Sequence, residues 1–197
     1  ETIFVNSGIT FLRNELIEVN FKNNRLKFKD ELNIEYQYLI LCTGSSSNSY
    51  NIKGVDEFCY FFNDAEDLKK LKCFLEKETK SINKENIFVV GAGPSGVELA
   101  CKLSDLYGDN FKIKIIEKSQ EILINNKIFN REEAEKALKK KDIDILLSNA
   151  VEEIREGEIY IKNSLDQVNM FKHHAVIWTA GIKPNLPTIE QDIEKIS

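Results

Sequence analysis

The sequence predicts an α/β fold, a doubly wound parallel sheet carrying a three-stranded meander, and two observations support it. The first is the run 87–90, β-branched and aromatic with no alternation, as a strand buried on both faces requires. It passes directly into the glycine-rich turn GAGPSG, after which Val97, Leu99, Ala100 and Leu103 recur at helical intervals. The second is the order strand, helix, strand, helix, strand between residues 87 and 147, which is one half of a doubly wound sheet.

The spacing of Gly91, Gly93 and Gly96 gives each glycine a physical job. Gly91 lets the chain turn sharply, Gly93 lets backbone approach a pyrophosphate, and Gly96 lets the helix close on the strand. The helix beginning near Pro94 aims its unpaired N–H groups and the positive end of its dipole at the same place. A glycine-rich turn alone is weak, but the second half of the pattern is present. The run 111–116 (FKIKII) reads as the next parallel strand and ends in Glu117, about 20 residues beyond the last glycine, where a carboxylate accepts hydrogen bonds from an adenosine ribose. The plain alternative is a strand-end glutamate facing solvent. The ribose reading predicts a Rossmann-like site that favours NAD(H) over NADP(H), with Lys118 softening the preference.

The other elements follow in order. Segments 9–12, 16–21 and 26–28 have strand character and are separated by the turn formers Ser7-Gly8 and Asn23-Asn24. The apolar run 36–42 (YQYLILC) reads as a buried strand ending at Thr43-Gly44-Ser45. Lys53-Gly54-Val55 begins a short extended connection, and the aromatics of 58–62 are expected to pack against the body. Asn63 or Asp64 is placed to cap a helix running to about Lys80, with Ala65, Leu68, Leu71 and Leu75 on its apolar face. Residues 122–128 read as an apolar loop, Asn130 as the cap of a charged helix over 131–141, and 143–147 as the third parallel strand. Segments 151–154, 158–161 and 169–172 form the meander, turned at Glu156-Gly157. The run 175–178 is a buried strand ending in Thr179-Ala180-Gly181, with Trp178 read as core. The chain thus states the same arrangement twice, a meander leading to a buried strand and a small-residue turn.

Composition narrows the function. At 197 residues, 42% hydrophobic and 30% charged, the chain has the profile of a soluble globular protein, and a net charge of −5 argues against a nucleic-acid surface. No apolar run approaches the roughly 20 residues that span a bilayer. Cys42, Cys59, Cys73 and Cys101 form no C-x-x-C pair, so neither a redox dithiol nor a zinc site is indicated. A reducing, cytoplasmic setting fits them, and Cys42 and Cys101 are expected to be buried. His173 and His174 are adjacent, point to opposite sides of an extended chain and read as surface or strand-edge residues rather than metal ligands.

The segments YQYLILCTGSSSN, GVDEFCYFFNDAEDLKKL, VVGAGPSGVELA, IKIIEKSQEIL and VIWTAGIKPN, in that order, resemble the pyridine nucleotide-disulfide oxidoreductase superfamily, most closely the type II NADH dehydrogenases. The resemblance covers nearly the whole chain. It implies that Gly91, Ala92, Gly93, Pro94, Ser95 and Gly96 bind the NADH pyrophosphate, that Glu117 binds its ribose, and that Ala180 and Gly181 lie near the nicotinamide. It further implies that Thr43 and Gly44 mark the passage from an FAD domain, and that Glu98 lies close to nicotinamide and flavin. From the residues alone, Glu98 reads equally well as a first-turn glutamate favoured by the helix dipole. Residues 53–181 would be the NAD(H)-binding domain, and 1–52 with 182–197 part of an FAD-binding domain. The superfamily's first glycine motif and its later Gly-Asp motif do not occur here, so the expectation is a central fragment that does not hold FAD tightly and is not by itself a competent dehydrogenase. In the parent protein, hydride would pass from NADH to FAD and electrons on to a quinone-like acceptor, with no general base required. A homodimer and a membrane-peripheral position are compatible with this. Other readings are a sulfide:quinone, ferredoxin or rubredoxin reductase, or a non-catalytic NAD(H)-sensing module.

Overall fold

The computed structural model describes residues 8–78 and 84–189. Ser7 of the first expected turn and the end of the helix expected to reach Lys80 lie outside them. In chain order the elements are β1 (Leu16–Asn20), β2 (Arg25–Phe28), β3 (Asn33–Glu35), β4 (Ser45–Ser47), α1 (Val55–Phe58), β5 (Cys59–Phe61) and α2 (Ala65–Glu78). Then come β6 (Glu85–Val90), α3 (Pro94–Tyr107), β7 (Phe111–Ile116), α4 (Ile128–Lys140) and β8 (Asp144–Leu146). The chain continues through β9 (Ala150–Arg155), β10 (Glu158–Lys162), β11 (Val168–Lys172), β12 (Ala175–Trp178), β13 (Ile182–Pro184) and β14 (Thr188–Ile189).

The described residues divide into two units, one made of 8–45 and 184–189, the other running from Ser46 to Lys183. The division falls at 45/46 and 183/184, so residues 46–52 pack with the second unit rather than the first.

In the first unit, β1, β2 and β3 form an antiparallel meander, and β14 adds to β1 in parallel. Val19 is its fully buried side chain. The third strand, Asn33–Glu35, is exposed along its length and carries little sequence signal. Two expectations are corrected here. Residues 9–12 form no strand, and the run 36–42 is not a buried strand: Tyr38 and Ile40 are 93% and 85% exposed, and Cys42 is exposed with them. A strand is buried by ladder neighbours, and among the described residues none pairs with 36–42.

The second unit is three layers around a five-stranded parallel sheet of order β5-β12-β6-β7-β8. Ile87, Val89, Ile113, Ile115 and Ile177 face Leu71 and Leu75 of α2, Val97 and Leu103 of α3, and Leu138 of α4. Phe88, Val90, Ile116, Val176 and Trp178 face Val151, Ile154, Ile159 and Ile161 of the antiparallel meander β9-β10-β11. Both faces are covered by apolar layers, which is why residues 87–90 of β6 and all of β12 show no polar alternation. Each fully buried aliphatic side chain contributes about 1.5–3 kcal/mol.

Local chemistry accounts for most boundaries. Asp64 caps α2, its Oδ1 accepting from the N–H groups of Glu66 and Asp67 at 2.8 Å each. The expected extended connection after Lys53 is instead a single helical turn, α1, entered through Gly54 at φ 84° because a Cβ there would collide with the Ile154 carbonyl. The helix expected from Arg131 begins three residues earlier at Ile128, so Asn130 lies inside it; Lys127 precedes the helix and no side chain caps it. The histidines stand at the entry to β12, at the strand edge, and are partly buried there: His174 pairs with Glu85 and packs against Phe74 and Phe111, ring centroids 5.1 Å away.

Candidate functional site

Three strand ends meet at the carboxyl edge of the parallel sheet: Val90 of β6, Ile116 of β7 and Trp178 of β12. This is where open α/β sheets bind ligands. The chain leaves β6 through Gly91, at φ 103°, a left-handed conformation that favours glycine. Its N–H donates to the Ile116 carbonyl at 2.8 Å. A Cβ on Gly91 would sit 3.0 Å from the backbone of Ala180, so the two turns are stacked directly. Thr179 locks them: its N–H donates to the Val90 carbonyl at 2.9 Å, and its hydroxyl lies 2.8 Å from Val90 O and 3.2 Å from Gly91 O.

The glycines of the turn differ in what holds them. A Cβ on Gly96 would collide with the Gly91 carbonyl and lie 2.8 Å from Thr179 Oγ1. At Gly93 a Cβ would meet nothing within 4 Å. Gly93 precedes α3, no side chain caps that helix, and Pro94 is its first residue. Open space at Gly93 therefore coincides with the positive end of a helix whose first-turn N–H groups, from Ser95 on, have no partner within the helix.

Glu117 is half-buried and bound into this turn. One carboxylate oxygen accepts from the Ala92 N–H at 2.7 Å and the other from the Ser119 N–H at 2.8 Å. The Ala92 carbonyl in turn accepts from the Leu123 N–H at 2.9 Å. Each carboxylate oxygen keeps acceptor capacity after one such bond. Asn149, from the segment after β8, donates its N–H to the Glu117 carbonyl at 3.0 Å.

Between these groups lies a cleft of about 810 Å³, formed entirely within the Ser46–Lys183 unit. Of the sequence-predicted residues, Gly91, Ala92, Gly93, Pro94, Glu117, Ala180 and Gly181 line it. Gly96 is buried behind the turn, and Ser95 and Glu98 lie outside the lining on the exposed side of α3. Thr43 and Gly44 belong to the other unit, where they are exposed and their carbonyls accept from Asn185. Sequence reasoning missed Tyr50, Ile124, Asn149, Val151 and Lys162, which also line it. They come from loops and the meander, whose approach to the sheet edge no local periodicity encodes. Trp178 is core, 3% exposed, with its indole N–H on the Asn48 carbonyl at 2.9 Å.

Charge in the cleft is mixed. Lys162 pairs with Glu152 at 2.8 Å, which raises its pKa, while Lys118 is exposed beside Glu117. The four cysteines are free, and burial together with Asp56 pushes the Cys59 thiol up to about 12.

A family model described as pyridine nucleotide-disulphide oxidoreductase matches residues 4–195. The chain belongs to this family. Within the family it is 28% identical over 192 residues to the mitochondrial external alternative NAD(P)H-ubiquinone oxidoreductase B3 of Arabidopsis thaliana, covering 86% of this chain and 33% of that protein. It is 29% identical over 184 residues to the demethylphylloquinone reductase NdbB of Synechocystis, covering 91% and 45%. The fold matches NDH2 of Plasmodium falciparum, solved in complex with NADH, at a TM-score of 0.76 and 24% identity over 88% of this chain and 41% of that one. The chain thus spans less than half the length of these oxidoreductase relatives. No helix among the described residues is long and apolar enough to cross a membrane.

Proposed function

We propose that the Ser46–Lys183 unit is the NADH-binding part of a flavin-dependent NADH oxidoreductase that delivers electrons to a quinone-like acceptor. The observation that carries this reading is the hydrogen bond from the Ala92 N–H to Glu117 at 2.7 Å, which joins the acid read as the ribose ligand to the turn read as the pyrophosphate cradle. Gly93 fits the group, since the space its missing side chain leaves is open. In this reading Gly91, Ala92, Gly93, Pro94, Ser95 and Gly96 form the phosphate cradle, Glu117 takes the adenosine ribose, and Ala180 and Gly181 bound the nicotinamide side. Glu98, exposed near the start of α3, would face the flavin in the whole protein, and Thr43 and Gly44 would belong to its FAD domain.

The chemistry belongs to the cofactors. FAD, when bound in the whole protein, accepts hydride from NADH; the residues of this chain bind and orient the dinucleotide and exclude water from it. No side chain is assigned as acid, base or nucleophile. The names of the relatives, NAD(P)H-ubiquinone oxidoreductase and demethylphylloquinone reductase, support a quinone as the acceptor class.

Calorimetric titration of the chain with NADH, NADPH and FAD in parallel tests the reading. Selective uptake of NADH is expected. Tight uptake of FAD without NADH would reassign the cleft to the flavin.

A further inference from the structure

Residues 48–52 form a loop whose backbone is held in an unfavourable shape. Tyr50 and Asn51 have φ of 51° and 56°, two consecutive left-handed residues of which neither is glycine. A tyrosine avoids this conformation because its Cβ crowds the following carbonyl. The Ile52 N–H donates to the Ser49 carbonyl at 3.0 Å, closing a tight turn with the two residues at its centre. Asn48 donates its N–H to the Gly181 carbonyl at 3.2 Å and accepts the Trp178 indole N–H on its own carbonyl. Buried Ser49 donates its hydroxyl to Asp56 at 3.0 Å, and the Tyr50 N–H donates to Asn48 Oδ1 at 3.0 Å.

The outcome of this arrangement is the position of one ring. Tyr50 lines the cleft with its edge over Gly181: a Cβ built on that glycine would lie 2.9 Å from Tyr50 Cζ and closer still to the hydroxyl. Gly181, at φ 93°, leaves the room that the ring uses. Yet Tyr50 is 58% exposed, so an aromatic residue on this strained turn is left largely uncovered. Strained residues that surrounding structure over-determines concentrate at ligand clamps.

Sheet order fixes which part of a ligand this ring would meet. Across the carboxyl edge, β12 with Gly181 comes first, β6 with the glycine turn second and β7 with Glu117 third. A dinucleotide with its adenosine ribose on Glu117 and its pyrophosphate on the turn has its other half directed toward Gly181 and Tyr50.

We propose that Tyr50 is a positioning residue for the nicotinamide half of NADH, its ring forming the wall against which that half packs. This deepens the dinucleotide reading of the cleft and rests on it. ADP-ribose, which keeps the adenosine and both phosphates but lacks nicotinamide, separates the two. Calorimetric Kd values for NADH and ADP-ribose are measured on the chain and on Tyr50→Ala, Tyr50→Phe and Tyr50→Gly. Tyr50→Ala is expected to weaken NADH about 3- to 10-fold and to leave ADP-ribose within about twofold, the size of an aromatic contact. Tyr50→Phe keeps both affinities. Tyr50→Gly, which suits the left-handed backbone, keeps Tm near that of the parent chain while losing NADH as the alanine variant does, so loss of binding cannot be laid to loss of fold. Equal losses of NADH and ADP-ribose, or no change in either, overturn the proposal. Failure of the unaltered chain to bind ADP-ribose or NADH overturns the dinucleotide reading itself, a result distinguishable from the other two.

Discussion

Ala175–Trp178 lies between Cys59–Phe61 and Glu85–Val90 in a parallel sheet, buried along its whole length. The run 36–42 is as apolar and ends in the same kind of turn, Thr-Gly-Ser against Thr-Ala-Gly, but Tyr38 and Ile40 stand in solvent. The difference lies in neighbours. β12 has a ladder on each side, helices on one face and a meander on the other; the run 36–42 has no ladder among the described residues. Apolar sequence supplies the drive to be buried, while topology decides whether it is met.

The contrast is broken most severely at Ile177. Ile177→Ala should cost about 2–5 kcal/mol, since the side chain is fully buried between layers that cannot collapse into the space. Ile40→Ala should fall within about 0.5 kcal/mol of the parent chain, as exposed substitutions do. Urea unfolding of both variants measures this, and comparable losses at the two positions would mean that 36–42 is buried in solution.

The same test of neighbours separates two glycines of one turn. Gly96→Val should destabilise the fold by about 1–3 kcal/mol, because the added atoms meet the Gly91 carbonyl and Thr179. Gly93→Val should leave the unfolding midpoint nearly unchanged, as its backbone at φ −72° and ψ 179° is extended and the space around it is open. It should nonetheless abolish NADH binding, and undiminished binding would remove the phosphate assignment.

These pairs show what the sequence could tell. The central strands, the glycine turn, the Asp64 cap and the three-stranded meander were legible because local chemistry and tertiary context agree there. The start of α4 was not: the helix begins at Ile128 with Ile128 and Phe129 exposed and no capping side chain, so an ordinary capping residue, Asn130, misleads. The run 36–42 misled for the complementary reason, a strong local signal without partners. In the site, the glycines and Glu117 carry recognisable spacing. Tyr50 does not, since its role comes from a loop bound to Trp178 and Gly181 more than a hundred residues away.

Glu117 tests how far the turn and the acid act as one piece. Glu117→Ala removes the acceptor for Ala92 and Ser119 and, in the proposed role, the ribose contact. Losing hydrogen bonds to a charged group should weaken NADH about 10-fold and narrow its preference over NADPH, with Lys118 left beside the ribose position. Competition titrations give the ratio directly, and an unchanged ratio would take Glu117 out of the ribose site.

The smallest expected effect concerns acid, and it again separates the two runs. Both histidines of the chain directly precede β12, whereas 36–42 has none near it. Burial lowers the His173 pKa from its ordinary 6.5, and neighbouring His174 pushes the same way, against the backbone contacts with Arg155, whose carbonyl is 3.2 Å away, and with Glu158. The folded chain therefore keeps this ring neutral at a pH where the unfolded chain already protonates it. Stability is full above about pH 6.5 and declines as pH falls toward the lower folded value, because the unfolded state then binds more protons. The loss should stay below about 1 kcal/mol, since the half-exposed ring is screened by water. Unfolding free energies are compared between the parent chain and His173→Asn, and their difference follows His173. That difference should be constant above pH 7 and shift in favour of the variant between pH 6.5 and 5. A flat difference across this range would mean that the entry to β12 is as open to water as the run 36–42.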